Sequence, residues 1–307
     1  MNFLVTGGSG MVGAAILCQN PDAIFVNSSE YDLTSYGQTR DMFDKYSPEN
    51  VIHLAAKVGG VGANSNYLGD FYTENIEINT NVLKCAQESG TKKVVSLLST
   101  CIYPDKVTYP LTEDQIHNGP PHQSNYAYAY AKRMLDIQSQ AYRDQHGCNF
   151  ITAVPNNLFG ENDNFHLENS HLIPAIIRKM HEAKQDKKPV VLWGDGTPLR
   201  EFTYSQDLAK ILLFLLDSYD ERSPVNVGNT KEYSVKEVSA IIADIVGFTG
   251  EIRWDTTRPN GQHRKPSDNK NLIDLGWKAE NYTDFKKALT KTYEWFTMNY
   301  PHIRGIQ

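Results

Sequence analysis

Through the first half of the chain, short apolar runs alternate with longer amphipathic ones. The predicted strands are Asn2–Thr6, Ala23–Asn27, Val51–Leu54, Lys93–Leu98 and Asn149–Val154. They are rich in Val, Ile, Leu and Phe, as expected when both faces are covered. Helix-period stretches are predicted between them, near Met11–Gln19, Tyr36–Tyr46, Phe71–Ser89 and Asn125–His146. Such alternation predicts βαβ units, and so an α/β fold with a doubly wound parallel sheet.

After Pro155 the rhythm loosens. NNLFGENDNFHLENSH is too rich in Asn, Asp, Glu and Gly for a core element and is expected to form a long loop. A helix near Leu172–Ala183 follows, then a short strand at Val190–Trp193 and a turn at GDGTP. SQDLAKILLFLLDSY is expected to be an apolar helix with Ser205 as its N-cap. VNVG, SVKEVSAIIADIVG and EIRW add a strand–helix–strand run, and a polar stretch over Thr256–Lys270 precedes two closing helices. The pattern suggests a first domain over 1–160 and a smaller mixed α/β substrate domain over 161–307, some segments of which return to the first. A ligand cleft is expected between them.

Composition narrows the partners. With 40% hydrophobic and 21% charged residues, the chain reads as soluble and globular. A net charge of −6 without a block of like charges argues against nucleic acid or an anionic membrane as partner. MNFLVTGGSG carries no basic leader, and nowhere do eighteen apolar residues run together. Cys18, Cys85, Cys101 and Cys148 form no CxxC, and the His and Cys residues lack ligand spacing. A reduced cytoplasmic protein without a metal site is expected.

The first chemical signal is TGGSGMVG, Thr6–Gly13, directly after the first strand and opening the first helix. Gly7 permits a tight turn, Gly10 lets the backbone approach a pyrophosphate, and Gly13 lets helix and strand pack closely. The helix N-terminus then offers N–H groups and a positive dipole end to the phosphates. In that strand–turn–helix context the motif predicts a Rossmann-like dinucleotide site rather than a bare glycine turn. The second strand ends in neutral Asn27–Ser28–Ser29, which tolerates a 2′-phosphate and favours NADP over NAD.

The second signal is NYAYAYAKRML, Asn125–Leu135. Tyr128 and Lys132, four apart, share a helical face. Tyr126 and Tyr130, six and two from the lysine, share it less well. A phenol beside a fixed ammonium is expected to ionise more easily and to pass a proton to or from a sugar oxygen. Ser99, Thr100 and Cys101 follow the fourth strand, at the carboxyl ends where such sheets bind ligands. Each also has a plainer reading: Ser99 as a turn residue, Cys101 as a small buried hydrophobe, His171 as a helix cap, Trp193 as packing, Lys179 and Arg200 as surface charges.

TGxxGxxG, a serine after the fourth strand and YxxxK together resemble the extended short-chain dehydrogenase/reductases. More closely, HLAAKVGG (His53–Gly60), STCIYPDK (Ser99–Lys106), IHNGPPH (Ile116–His122), YAKRM (Tyr130–Met134), DNFHLENSHLIP (Asp163–Pro174), WGDGTPLREF (Trp193–Phe202) and NGQHRK (Asn260–Lys265) resemble one branch of that group. Its members are NADPH-dependent 3,5-epimerase/4-reductases acting on GDP-4-keto-6-deoxy-D-mannose. The resemblance runs along the whole chain. It implies Ser99, Tyr128 and Lys132 as the reductase set, with Cys101 and His171 as the epimerase acid/base pair. For the cofactor it implies Gly7, Gly8, Ser9, Gly10, Met11, Val12, Gly13, Ser28, Asp32, Leu33, Ala55, Ala56, Lys132, Pro155, Asn156, Asn157, Leu158 and His171. For the nucleotide sugar it implies Lys179, Trp193, Arg200, Asn260 and Lys265, and for assembly a homodimer through the helices at Phe71–Ser89 and Asn125–His146. The chain departs from that branch at Ser9, where bacterial members carry arginine, at Asn156, where threonine is usual, and at Asn260, where an aspartate is usual.

The 4-keto group acidifies the protons at C3 and C5. Thiol and imidazole, with ordinary pKa values near 8.5 and 6.5, can exchange them near neutral pH. Ser99 and Tyr128 could serve the enolate oxygen and then the ketone under hydride attack. On the residues alone, two other readings stay open: an NAD-dependent nucleotide-sugar 4-epimerase or dehydratase with the same Tyr–Lys pair, and a non-catalytic NADP-binding sensor.

Overall fold

The computed structural model describes residues 3–59, 66–258, 260 and 263–306. Asn2, expected to open the first strand, lies outside the described residues, as do Gly60 of HLAAKVGG and Gly261 and Gln262 of NGQHRK.

A six-stranded parallel sheet forms the centre, in the order β2-β1-β3-β4-β5-β9. Its strands are β1 (Phe3–Thr6), β2 (Ile24–Val26), β3 (Asn50–His53), β4 (Lys93–Leu97), β5 (Asn149–Pro155) and β9 (Val225–Val227). The reversal of strand order beside β1 opens a crevice at the carboxyl ends, where ligands of such sheets bind. Helices α1 (Met11–Gln19) and α6 (Ser205–Ser218) cover one face, burying Ile16, Leu208, Leu212 and Leu215 against Val5 and Val95. Helices α2 (Tyr36–Tyr46), α3 (Leu68–Glu88) and α4 (Tyr126–His146) cover the other, burying Met42, Leu83 and Leu135 with Leu4, Val94 and Phe150. Both faces are dry, which is why the strands read as continuous apolar runs.

The sheet therefore takes its last strand and one covering helix from the second half of the chain. The rest of that half builds its own core around α5 (Leu172–Asp186), α7 (Val235–Val246) and α9 (Phe285–Asn299), with Phe159, Met180, Phe202 and Phe296 inside. A short helix, α8 (Lys270–Asp274), precedes α9.

Two expectations need correction. The segment after Pro155 is not all loop, because Asn157–Phe159 forms a strand, β6, parallel to β8 (Leu199–Tyr204). Three residues are too few to show a period, and the partner lies some forty positions on. Nor is Ser205 an N-cap. Tyr204 still pairs with Phe159 in β8, so the strand runs straight into α6 and Ser205 is its first helical residue. Two small sheets complete the second half: β6 and β8 with antiparallel β10 (Glu232–Ser234), and β7 (Val190–Trp193) with parallel β11 (Ile252–Asp255).

Candidate active site

The site begins at the β1–α1 turn. Gly7 has φ +70°, and a Cβ there would lie 2.9 Å from the Ala55 nitrogen. A Cβ on Gly8 would lie 2.8 Å from that of Phe25, and one on Gly13 would lie 2.5 Å from the Gly8 oxygen. The turn is thus pressed against β2, β3 and α1 so tightly that only glycine fits. Gly10 occupies the N-cap position and no side chain caps α1, so the helix start faces outward with its donors uncovered. This arrangement fits a pyrophosphate at that point.

From the turn a cleft of about 680 Å³ runs along the carboxyl ends of the sheet. Of the expected residues, Gly7, Ser9, Gly10, Met11, Val12, Gly13, Ser28, Asp32, Leu33, Ala55, Ala56, Ser99, Tyr128, Lys132, Pro155, Asn156, Asn157, Leu158 and His171 line it. Gly8 does not. Its N–H donates to the Val26 carbonyl at 2.8 Å, and its part is to bring the turn onto β2. Tyr126 and Tyr130 line a separate apolar pocket with Leu68, Tyr72 and Met134 on the outer face of α3 and α4.

Acidic groups near the end of β2 settle differently. The Glu30 carboxylate turns back to accept from the Asn27 side-chain amide at 2.7 Å. Asp32 lines the cleft and accepts from the Thr34 N–H and hydroxyl at 3.0 and 2.7 Å.

At the other end, helix α4 carries Tyr128 and Lys132 into the cleft. Lys132 is 3% exposed and donates to the Leu97 carbonyl at 2.8 Å. Burial brings its ammonium down to about 8. The same burial pushes the Tyr128 phenol up, helped by the nearby Cys101. The expectation that the lysine eases ionisation of the phenol is therefore overturned. Its ammonium is turned to the β4 carbonyl, 6.0 Å from the centre of the Tyr128 ring, and loss of water outweighs the field. The phenol stays protonated, the form that can donate.

Ser99 lies two residues past β4 and accepts from the Cys101 N–H at 3.4 Å, so it serves the turn and still faces the cleft. The following 3-10 turn, Thr100–Ile102, carries Cys101, which is half-buried against the core on the α2–α4 side of the sheet and, unlike Ser99, is not among the residues that line the cleft. Burial pushes its thiol up, while the Ser99 hydroxyl, Lys265 and Lys132 pull it back. His171 occupies the N-cap position of α5, but its side chain makes no capping bond and opens into the cleft. His171 as a residue stays exposed, but the protein crowded around its ring and then Arg304 push its imidazole down, so it rests neutral.

Asn156 reaches the cleft wall with its amide already engaged. It donates to Glu201 at 3.2 Å and to the Asn229 carbonyl at 2.9 Å, and accepts from the Thr203 hydroxyl at 2.6 Å. Glu201, 2% exposed, also accepts from the Ser267 N–H and hydroxyl at 2.9 and 2.6 Å. This network joins the β5–β6 turn to the segment that carries Lys265.

The remaining expected residues lie apart from this cleft. Lys179 donates to the Val191 carbonyl at 3.1 Å and stands 6.0 Å from the centre of the Trp193 ring, with Arg258 at 5.1 Å. Asn260 accepts from the Asp195 N–H at 2.8 Å. Arg200 donates to the Leu199 carbonyl at 2.7 Å, and Leu199 in turn holds the His263 carbonyl at 2.9 Å, two residues before Lys265. Against the burial that raises the Cys101 thiol, the Lys265 charge pulls it down, which relates this group to the residue beside Ser99.

Among the lining residues that were not expected at the site are three charged ones, Lys57, Asp163 and Arg304. Asp163 opens the DNFH run and only its polarity was visible. Arg304 carried no signal at all.

The NAD dependent epimerase/dehydratase family model matches residues 3–228. A GDP-L-fucose synthase of Dictyostelium discoideum is 43% identical, over 98% of this chain and 97% of that protein. A probable GDP-L-fucose synthase of Drosophila melanogaster is 40% identical, over 98% of each. The crystal structure of a GDP-L-fucose synthetase from Naegleria fowleri bound to NADP superposes with a TM-score of 0.94 at 39% identity, over 99% of this chain and 94% of that one. The chain belongs to the NAD dependent epimerase/dehydratase family, within the branch of the GDP-L-fucose synthases.

Proposed function

We propose that the protein converts GDP-4-keto-6-deoxy-D-mannose to GDP-L-fucose, by epimerisation at C3 and C5 and then reduction at C4 with NADPH. One observation carries this: Ser99, Tyr128, Lys132 and His171 open on the same cleft as the glycine turn, with Cys101 next to Ser99. The bound nicotinamide supplies the hydride. The β1–α1 turn would hold the pyrophosphate, and Lys132 would add a positive charge to the part of the cleft that also carries Tyr128.

In the epimerase half, His171 rests as neutral imidazole and Cys101 as thiol, so one can take a proton and the other return one. Ser99 and Tyr128 donate to the C4 oxygen as charge gathers on it in the enolate. In the reductase half the same two donors polarise the ketone. Tyr128 then gives its phenolic proton to the oxygen, matching the raised phenol. Lys179, Trp193, Arg200, Asn260 and Lys265 hold the nucleotide sugar, their cations meeting its diphosphate.

The proposal includes a division at residue 160, with α6, β9 and α8 of the second part returning to the first. It includes a homodimer through the outer faces of α3 and α4, supported by the exposed Tyr72, Met134 and Ile137 and the apolar pocket beside them. It also includes a cytoplasmic location; among the described residues no helix is long and apolar enough to cross a membrane. Following reduced-nicotinamide absorbance with the keto sugar nucleotide tests the activity. Oxidation in proportion to product is expected, and a cofactor that stays bound and returns to its starting state would contradict it.

A further inference from the structure

Arg304 has no task in the reaction above, yet it stands in the wall of the cleft. Segment 303–306 follows α9 and lies back over the polar loop that leads to His171. The Phe165 N–H donates to the Arg304 carbonyl at 3.0 Å. The Arg178 guanidinium donates to the carbonyls of both Phe165 and Gly305, at 3.0 and 2.8 Å. Gly305 has φ +91°, and a Cβ there would lie 2.4 Å from the His166 nitrogen. The two segments are clipped backbone to backbone, so the Arg304 side chain is presented from a fixed base.

The cleft is lined by three cations, Lys57, Lys132 and Arg304. Lys57 is paired with Glu74, and Lys132 is bound to the Leu97 carbonyl. The Arg304 guanidinium has no hydrogen-bond or ion-pair partner among the described residues. Near it are Asp163, 5% exposed and with Oδ2 unpartnered, and His171. A permanently charged, forked donor left open in such a wall suits a phosphate oxygen pair. Two diphosphates enter the site if the nucleotide-sugar reading holds, one on the cofactor and one on the substrate.

We propose that Arg304 is a diphosphate-binding residue of this cleft, delivered by segment 303–306. Its role rests on the nucleotide-sugar reading. The test uses the full chain with Arg304→Gln, which keeps the carbonyl that Phe165 needs, and Arg304→Lys, which keeps the charge without the fork. Kd is measured by calorimetry for NADP+ and for GDP separately, at low and moderate salt. In Arg304→Gln one of the two constants should rise about tenfold or more, as for a lost charge-assisted hydrogen bond. That ligand's salt dependence should flatten, and Arg304→Lys should recover part of the loss. A loss confined to NADP+ assigns the cofactor, and one confined to GDP assigns the substrate. Unchanged constants for both ligands overturn the proposal, as does an equal weakening of both with a lowered Tm, the mark of a merely structural residue. A wild-type chain that binds neither ligand overturns the functional reading instead.

Discussion

The Lys132 ammonium donates to the carbonyl of Leu97, the last residue of β4, rather than to the phenol of Tyr128 one turn away. The bond ties the middle of α4 to the strand end from which Ser99 projects. It fixes the distance between the helix that carries the phenol and the strand end that leads to the serine. Lys132→Met should therefore loosen both partners of the C4 oxygen. Reduction should fall about 10²- to 10⁴-fold, the usual worth of a positioned proton donor. Solvent-deuterium uptake into the keto sugar nucleotide should fall with it, because the same two donors hold the enolate oxygen, and measuring both rates checks the claim.

Cys101→Ser should separate the two activities. Deuterium uptake at C3 and C5 should drop by at least 10²-fold, while NADP+ binding and Tm remain near wild type. Uptake that persists at the original rate would remove Cys101 from the chemistry.

Two buried groups give opposite pH signatures. His53, bonded to Thr6 at 2.8 Å and Asn79 at 3.1 Å, is pushed down to about 3 by burial and then by Lys132. Between its ordinary 6.5 and that value the unfolded chain holds a proton that the folded chain lacks. Acidification through that window therefore costs about 1.4 kcal/mol per pH unit at most. Asp163 is pushed up to about 7 by burial. Between 7 and its ordinary 3.8 the folded chain holds the extra proton, so acidification stabilises. Relative to wild type, His53→Gln should gain stability as pH falls from 6.5, and Asp163→Asn should lose it. Urea denaturation across the range checks both signs.

Glu201 takes three hydrogen bonds from Ser267 and Asn156 with almost no water near it. Glu201→Ala leaves those donors buried and unpaired, at a cost of about 2–5 kcal/mol. Because Ser267 follows Lys265 by two residues, KM for the sugar nucleotide should rise more than kcat falls. Denaturation and steady-state kinetics on one preparation measure the two effects.

The parts of the site written in local spacing were legible in the sequence. The glycine turn follows a strand and opens a helix, and the Tyr128–Lys132 interval is a helical turn, so both were placed without a fold. What depends on distant pairing was not. Strand β6 exists only because Leu199–Tyr204 lies beside it, and Ser205 is helical only because that strand runs on through Tyr204. The direction of the Tyr128 shift also needed burial, which the neighbouring alanines and tyrosines do not disclose. Arg304 reaches the cleft because segment 303–306 is clipped to Phe165, a contact between residues 139 positions apart that no local pattern encodes.

The central claim is that one pocket inverts two centres and reduces a third. Incubation with GDP-4-keto-6-deoxy-D-mannose and NADPH in deuterated water, followed by NMR of the product, tests it most directly. The account predicts GDP-L-fucose carrying deuterium at C3 and C5, formed in step with NADP+. A reduced product without deuterium at either carbon, or no NADPH oxidation at all, would contradict it.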